Sequence, residues 1–294
     1  MIQDAARAGR ARGTTPRESD DAQRRAELGG FLRARRNELS RSEVGLPPRT
    51  RGGDVGLRRE EVSYLSGVSG TWYTWLEQGR DINPSRQVVD AVARTLRLDA
   101  SAHSYVLALL GYSSPLPQQV PPTHDAPPSL QRLLDSWADP AFALAPDWAV
   151  LAWNDAYEQL YPGIATAADD DRNLLWLVFT DPYVRALLPD WERTSRRFLS
   201  EFRAETGPRL GDPAHGMLVE RLSAASAAFR AGWESRDVQR FASRERLFQH
   251  PDVGLLHLEH HQLALSDHPE IHVVAYTPMP ETDAAERLAR LCAL

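Results

Sequence analysis

Two domains of different class are predicted: an all-α domain of five helices at the N-terminus and an α+β domain rich in helices at the C-terminus. Three observations carry the prediction. Apolar residues recur at helical spacing on either side of Gly67 between Leu57 and Gly79, and six prolines crowd the 18 residues from Gly111 to Pro128. Beyond the prolines, short alternating apolar runs are interleaved with longer helical patterns. A segment so rich in proline forms neither a regular helix nor a central strand, so it reads as a linker. The expected division is 1–25, an Arg-rich disordered arm; 26–112, the first domain; 113–128, the linker; and 129–294, the second domain.

Leu28, Phe31, Leu32 and Leu39 give a first helix ending near Glu38. A Gly/Pro/Arg loop follows from about Ser40 to Asp54; its Arg41, Arg49 and Arg51 suit either a phosphate backbone or a solvated insert. Leu57, Glu61/Val62 and Leu65 then place one apolar stripe against a core, and Gly67 stops that helix because glycine takes a left-handed conformation freely. Val68 plugs the core beneath the turn. Ser69 caps the next helix, which runs to Leu76 or Glu77 with Tyr73 and Leu76 inward and Gly70, Thr71, Trp72, Thr74 and Trp75 on outward and flanking positions. Asn83 and Pro84 read as the cap and first position of a fourth helix with Val88, Val92 and Leu96 inside. Asp99 caps a fifth, ending about Leu110.

In the second half, Phe142–Leu144 and Ala149–Trp153 flank Pro146-Asp147 as a hairpin. Helices are expected over 155–161, 173–179, 182–188, 190–205, 214–224 and 227–236, strands over 255–261 and 271–277, and a last helix opened by Thr282.

The single cysteine, Cys292, excludes an intramolecular disulfide and suits a reducing cytoplasm. Apolar runs such as Leu174–Phe179 fall far short of the ~20 residues needed to cross a bilayer, and the first 25 residues do not resemble a secretory signal. The net charge of −6 is unevenly spread: residues 1–110 carry 18 Arg against 14 acidic residues, and the remainder 16 Arg against 26. The basic half therefore holds the two-helix motif. All 34 basic residues are arginine, which fits genomic GC bias as well as phosphate contact.

Two short helices joined by a glycine turn can lay the second helix in a major groove, its first two turns reaching base edges while the preceding helix crosses the backbone. On that reading Ser69, Gly70, Thr71, Trp72, Thr74 and Trp75 face DNA, and Arg58, Arg59 and Arg80, at the helix ends, meet phosphates. An ordinary αα-hairpin within a bundle is the competing reading.

From Leu28 to Leu110, and above all in LRREEVSYLSGVSGTWYTWLEQGRDINPS, the chain resembles the DNA-binding domain of the Xre/Cro/C1 family, in particular the MmyB-like regulators common in actinomycetes. WAVLAWNDA, RNLLWLVFTDP, LPDWE and HPDVGLLHLEHHQL are similar to that subgroup's C-terminal domain. The resemblance implies a five-helix, lambda-repressor-like helix-turn-helix domain, a PAS-like sensor domain and ligands of the fatty-acid type. It also places base contacts at Gly70, Thr71 and Trp75. Relatives often carry an acidic residue at the second position and arginine at the third, so Trp75 is suited to thymine methyls rather than to a bidentate guanine contact.

For the second domain the expected ligand site joins Trp153, Asn154, Trp176 and Trp191 with the polar Arg172, Asn173 and His250, the last three as partners of a carboxylate. Core packing explains the tryptophans equally well, and helix capping is the default role of Asn173. His257, Glu259 and His261 share one strand face, yet H-E-x-x-H, G-x-S-x-G, the P-loop and G-x-G-x-x-G are all missing. No metal, cofactor or catalytic residue is expected, and the chain is not expected to be an enzyme. The favoured function is a cytoplasmic, homodimeric transcription regulator that binds double-stranded DNA at an inverted repeat and senses a small apolar ligand. The alternatives make the second domain a dimerisation or protein-docking module, or an enzyme.

Overall fold

The computed structural model describes residues 16–47, 56–112, 126–207, 210, 212–239 and 244–293. The N-terminal domain comprises α1 (Pro16–Glu38), α2 (Arg59–Ser66), α3 (Gly70–Glu77), α4 (Arg86–Thr95) and α5 (Ala100–Leu109), packed around Phe31, Val62, Tyr73 and Leu57. Helix α1 starts earlier than its apolar pattern indicates. Residues 16–25, expected in a disordered arm, are helical, opened by Pro16 and flanked by the ion pairs Arg24–Asp21 and Arg25–Asp81 rather than by apolar burial. Residues 1–15, Arg49, Arg51 and positions 113–125 of the expected linker lie outside the described residues. Helix α4 corrects a second expectation: Ser85, not Asn83, is its cap and accepts the Val88 N–H at 3.4 Å.

The C-terminal domain is α+β, the PAS-like class expected of it. Helix α6 (Pro128–Asp135) precedes β1 (Ala141–Leu144) and β2 (Val150–Trp153); α7 (Asp155–Leu160), α8 (Gly163–Thr166), α9 (Leu174–Thr180), α10 (Pro182–Leu187), α11 (Trp191–Thr206), α12 (Pro213–Ala225) and α13 (Ala227–Ser235) follow. Strands β3 (Arg244–His250), β4 (Gly254–Ala264) and β5 (His272–Pro278), then α14 (Ala284–Leu291), complete the chain. The sheet order is β2-β1-β5-β4-β3 and all neighbours are antiparallel. One face, with Phe142, Phe248, Leu256, Leu258 and Tyr276, buries itself against the helices; Leu130 and Leu134 of α6 cover Ala141, Ala143 and Val273 on the other.

Helices α6 and α8 and strand β3 escape the sequence pattern. In β3 the inward positions are Arg246, Phe248 and His250, so polar residue types at two core sites hide the alternation of a half-buried strand. At the β1–β2 turn Trp148 takes a left-handed φ of 67°, which a non-glycine residue adopts only when its surroundings hold it. Its indole N–H donates to Glu205 at 2.8 Å and its ring meets Phe198 and Phe202 edge-on, docking the turn against α11. No described helix is long and apolar enough to cross a membrane.

Candidate nucleic-acid interface and the polar groups of the second domain

The turn between α2 and α3 forms as its residues dictate. Gly67 takes φ 71°, Val68 is buried, and the Ser69 hydroxyl accepts the Trp72 N–H at 3.2 Å. Ser63 tightens the turn by donating to the Val68 carbonyl at 2.6 Å. Tyr73 and Leu76 are buried; Thr71 is exposed and Gly70, Thr74 and Trp75 are half-exposed, which leaves one short polar and aromatic face of α3 open. Trp72 stands at the margin of that face, packed partly on the domain core with its ring 6.5 Å from that of Trp75. Arg80 lies 5.8 Å from the Trp75 ring, and its Nε donates to Gln78 at 2.9 Å.

What holds α3 in place is a buried carboxylate. Glu77 is 2% exposed and accepts from Arg36 and, at 2.7 Å, from Arg59 Nε, while Arg33 stands at 4.0 Å. Burial alone would raise its pKa. The Arg36 and Arg59 hydrogen bonds outweigh burial and hold the carboxyl below the ordinary glutamate value. Arg59 thus serves the fold with its Nε, while its side chain stays partly exposed beside the expected phosphate path. Arg58 is exposed, and its backbone N–H donates to Glu61 in a capping arrangement at 2.8 Å. Arg41 of the preceding loop is also taken, by Glu61 and the Pro47 carbonyl.

In the second domain the residues expected to gather around a ligand serve separate ends. Asn154 caps α7: its Oδ1 accepts the Ala141 and Tyr157 N–H groups at 3.0 Å, and its amide faces the Asp139, Trp137 and Leu134 carbonyls at 2.9, 3.1 and 3.3 Å. Asn173 caps α9 through Leu175 and Trp176, as its default role predicts, and its amide donates to the Asp147 carbonyl. Trp153 bonds Glu158 and lies under Arg172, whose own Nε donates to the Ala167 carbonyl and which pairs with Asp169. Trp176 is stacked by Arg221, and Trp191 by Arg185 while its N–H donates to the Val178 carbonyl. Buried His250 sits 3.1 Å from the Tyr183 hydroxyl and 3.2 Å from the Gln159 carbonyl. Of these residues only Asn154 borders the surface hollow of about 340 Å³ beside α7, which Asp135, Asp155 and Glu158 make acidic and therefore hostile to a carboxylate. His257 and His261 share the outer face of β4 as expected, but each is paired, with Glu245 and with Thr277. Among the described residues no His/Cys/Asp/Glu group is arranged to hold a metal.

Sequence reasoning missed the joint between the domains. Glu27 of α1 accepts from Arg203 of α11 at 2.8 Å, from the Tyr105 hydroxyl at 3.0 Å and from Arg236. Arg203 is 1% exposed and its guanidinium lies 4.0 Å from the Trp233 ring centroid. Arg35 reaches Asp237 at 2.9 Å, Leu210 and Val238 complete the N-terminal core, and a Cβ at Gly207 would come within 2.1 Å of the Tyr105 ring. No local pattern could reveal it, because the partners stand up to 209 residues apart.

A capped helix-turn-helix with one open face, packed on a second domain through a buried ionic joint, defines a class: a DNA-binding domain coupled to a separate α+β domain. Residues 27–104 match a helix-turn-helix domain family, and residues 126–291, more than half of the chain, match the MmyB-like transcription regulator ligand binding domain. The chain belongs to the MmyB-like transcription regulators, with DNA-binding and ligand-binding domains in that order. No curated protein sequence matches it.

Proposed function

We propose that this regulator binds an inverted-repeat operator as a homodimer, laying α3 in the major groove, and that a small apolar ligand of the fatty-acid class adjusts its affinity for DNA. The observation that carries the DNA half is the exposed Thr71 beside half-exposed Trp75 on a helix whose cap and buried face are fully formed. Thr71 and the Trp75 ring face base edges, with Gly70, Thr74 and Ser69 lying along the groove; Arg58 and Arg80 meet phosphates. With an operator selected from a random duplex library, Thr71→Ala and Trp75→Ala each weaken specific binding by ~1–3 kcal/mol and leave non-specific binding nearly intact. Arg58→Gln and Arg80→Gln each lower the slope of log affinity against log salt by about one, uniformly across sequences. A changed preference among operators with an unchanged salt slope would reject the phosphate assignment.

One recognition helix reads too few base pairs for genomic specificity, which is the argument for a dimer on half-sites about one turn apart. Sedimentation that finds a single protomer bound to one half-site would remove it. The ligand half is tested by titrating fatty acids of medium and long chain against intrinsic tryptophan fluorescence and operator affinity. Because a ligand shifts an equilibrium only by its differential affinity for the two states, a saturable fluorescence change must be accompanied by a shift in DNA binding. Absence of both with every acid rejects this ligand class.

A further inference from the structure

The sheet buries a guanidinium against the inner side of α11. On β3 the exposed Glu245 and Leu247 alternate with Arg246, so the pleat turns Arg246 into the core, where 3% of it remains exposed. Its guanidinium lies 5.1 Å from the Phe198 ring centroid, and Glu201 Oε2 stands 3.9 Å from Nη2, beyond hydrogen-bond reach. Nε and Nη2 of Arg246 are buried and have no hydrogen-bond partner. Phe248 on β3, His260 on β4 and Tyr276 on β5 complete the surroundings, with His260 stacked on Tyr276 at 5.3 Å and Phe248 edge-on to it at 5.1 Å.

Buried N–H groups left unbonded are costly, and a guanidinium presents them in a planar fork that matches a carboxylate. The two carboxylate partners expected from the sequence are occupied: Arg172 by Asp169 and the Ala167 carbonyl, His250 by Tyr183 and the Gln159 carbonyl. Arg246 combines burial, unused donors and an aromatic wall. We propose that Arg246 is the head-group receptor of the ligand-binding domain, its Nε–H and Nη2–H taking the carboxylate of an acid whose apolar chain packs among Phe198, Phe248 and Tyr276. The proposal rests on the reading above that the domain binds an apolar acid. A carboxylate placed there repels the adjacent Glu201. Glu201 and Arg203 are two residues apart on α11, about 200° around its axis, so one faces the ligand and the other grips Glu27 of the DNA-binding domain. Displacement of Glu201 is thereby delivered to the joint between the domains.

The test compares decanoate with decanol, which share the chain and differ in the head group, by calorimetric titration of the full-length protein and by affinity for the selected operator. Arg246→Met/Glu201→Leu removes both charges together, so neither is stranded in the core; Arg246→Lys keeps the charge and loses the fork. Wild type prefers decanoate to decanol. The double variant binds decanoate about 10–100-fold more weakly, Arg246→Lys loses part of that affinity, and the decanoate-dependent change in operator affinity disappears with it. Circular dichroism melts report whether the double variant folds, and if it does not, Arg246→Lys decides. Decanoate affinity unchanged in the variants, or equal binding of acid and alcohol by wild type, overturns the head-group site and leaves the apolar-ligand reading standing. Failure of both amphiphiles to bind wild type overturns both readings.

Discussion

Glu77→Gln destabilises the N-terminal domain by about 3 kcal/mol, since removing one partner of a buried ionic cluster leaves the others uncompensated. Glu77 is the acidic centre on which Arg36 and Arg59 converge, and its backbone carbonyl also receives Arg33. Gly29 explains why the cluster can form: a Cβ there would come within 2.5 Å of the Glu77 carbonyl, so only glycine lets α1 pass so close to the end of α3. Losing the carboxylate loosens the helix that presents Thr71 and Trp75, and operator affinity falls with stability. The effect depends on pH in a defined direction. Because the folded-state pKa of Glu77 lies below its unfolded value, its contribution is fully present above the ordinary glutamate value of about 4.3 and is lost as pH falls through the lower folded value. Urea denaturation of wild type and variant therefore shows the full difference at pH 7 and a shrinking one in acid. Equal midpoints at pH 7 would contradict this role for Glu77.

Asn154→Ala lowers the stability of the C-terminal domain by a similar ~3 kcal/mol. Its side chain accepts two backbone N–H groups and turns its amide to three backbone carbonyls, of which two N–H bonds can satisfy the nearest pair. Alanine leaves those groups, from the end of α6 to the first turn of α7, unbonded inside the protein. Asn154→Asp is no remedy, because a carboxylate offers no donor to the carbonyls. Calorimetric melting should show a loss of roughly 6–12 °C for a domain of this size. If Asn154→Ala melts as wild type does and yet no longer binds fatty acids, Asn154 belongs to the ligand and not to the fold.

The contrast between these two residues shows what kind of information local sequence holds. Ser69 was legible as a cap and Gly67 as a left-handed stop because both act on backbone within a few positions. Asp99 and Asn173 were legible for the same reason. Ser85 displaced Asn83 as the cap of α4 because both are capping residue types and only the path of the chain through Pro84 selects between them. Asn154 resembled a polar group in an apolar pocket. Its partners Leu134, on a helix that the periodicity did not reveal, and Trp137, just beyond that helix, lie 20 and 17 residues back. Arg246 went unnoticed because a charged residue in RERLFQH looks like part of a solvated strand, and only burial against α11 turns it into a candidate receptor.

By itself, then, the sequence determined the order of the two domains, the helix-turn-helix, the helices of the second half other than α6 and α8, and two of its three later strands, since each follows from periodicity and from caps that close over three or four residues. Tertiary structure alone decided which charges are free. Glu77, Glu27 and Arg246 are ordinary charged residues in the string of letters; their roles arise where α1 crosses α3, where α11 meets α1, and where β3 faces α11. Burial and long-range pairing set the energy of an ionised side chain, and neither is a property of the neighbouring residues along the chain.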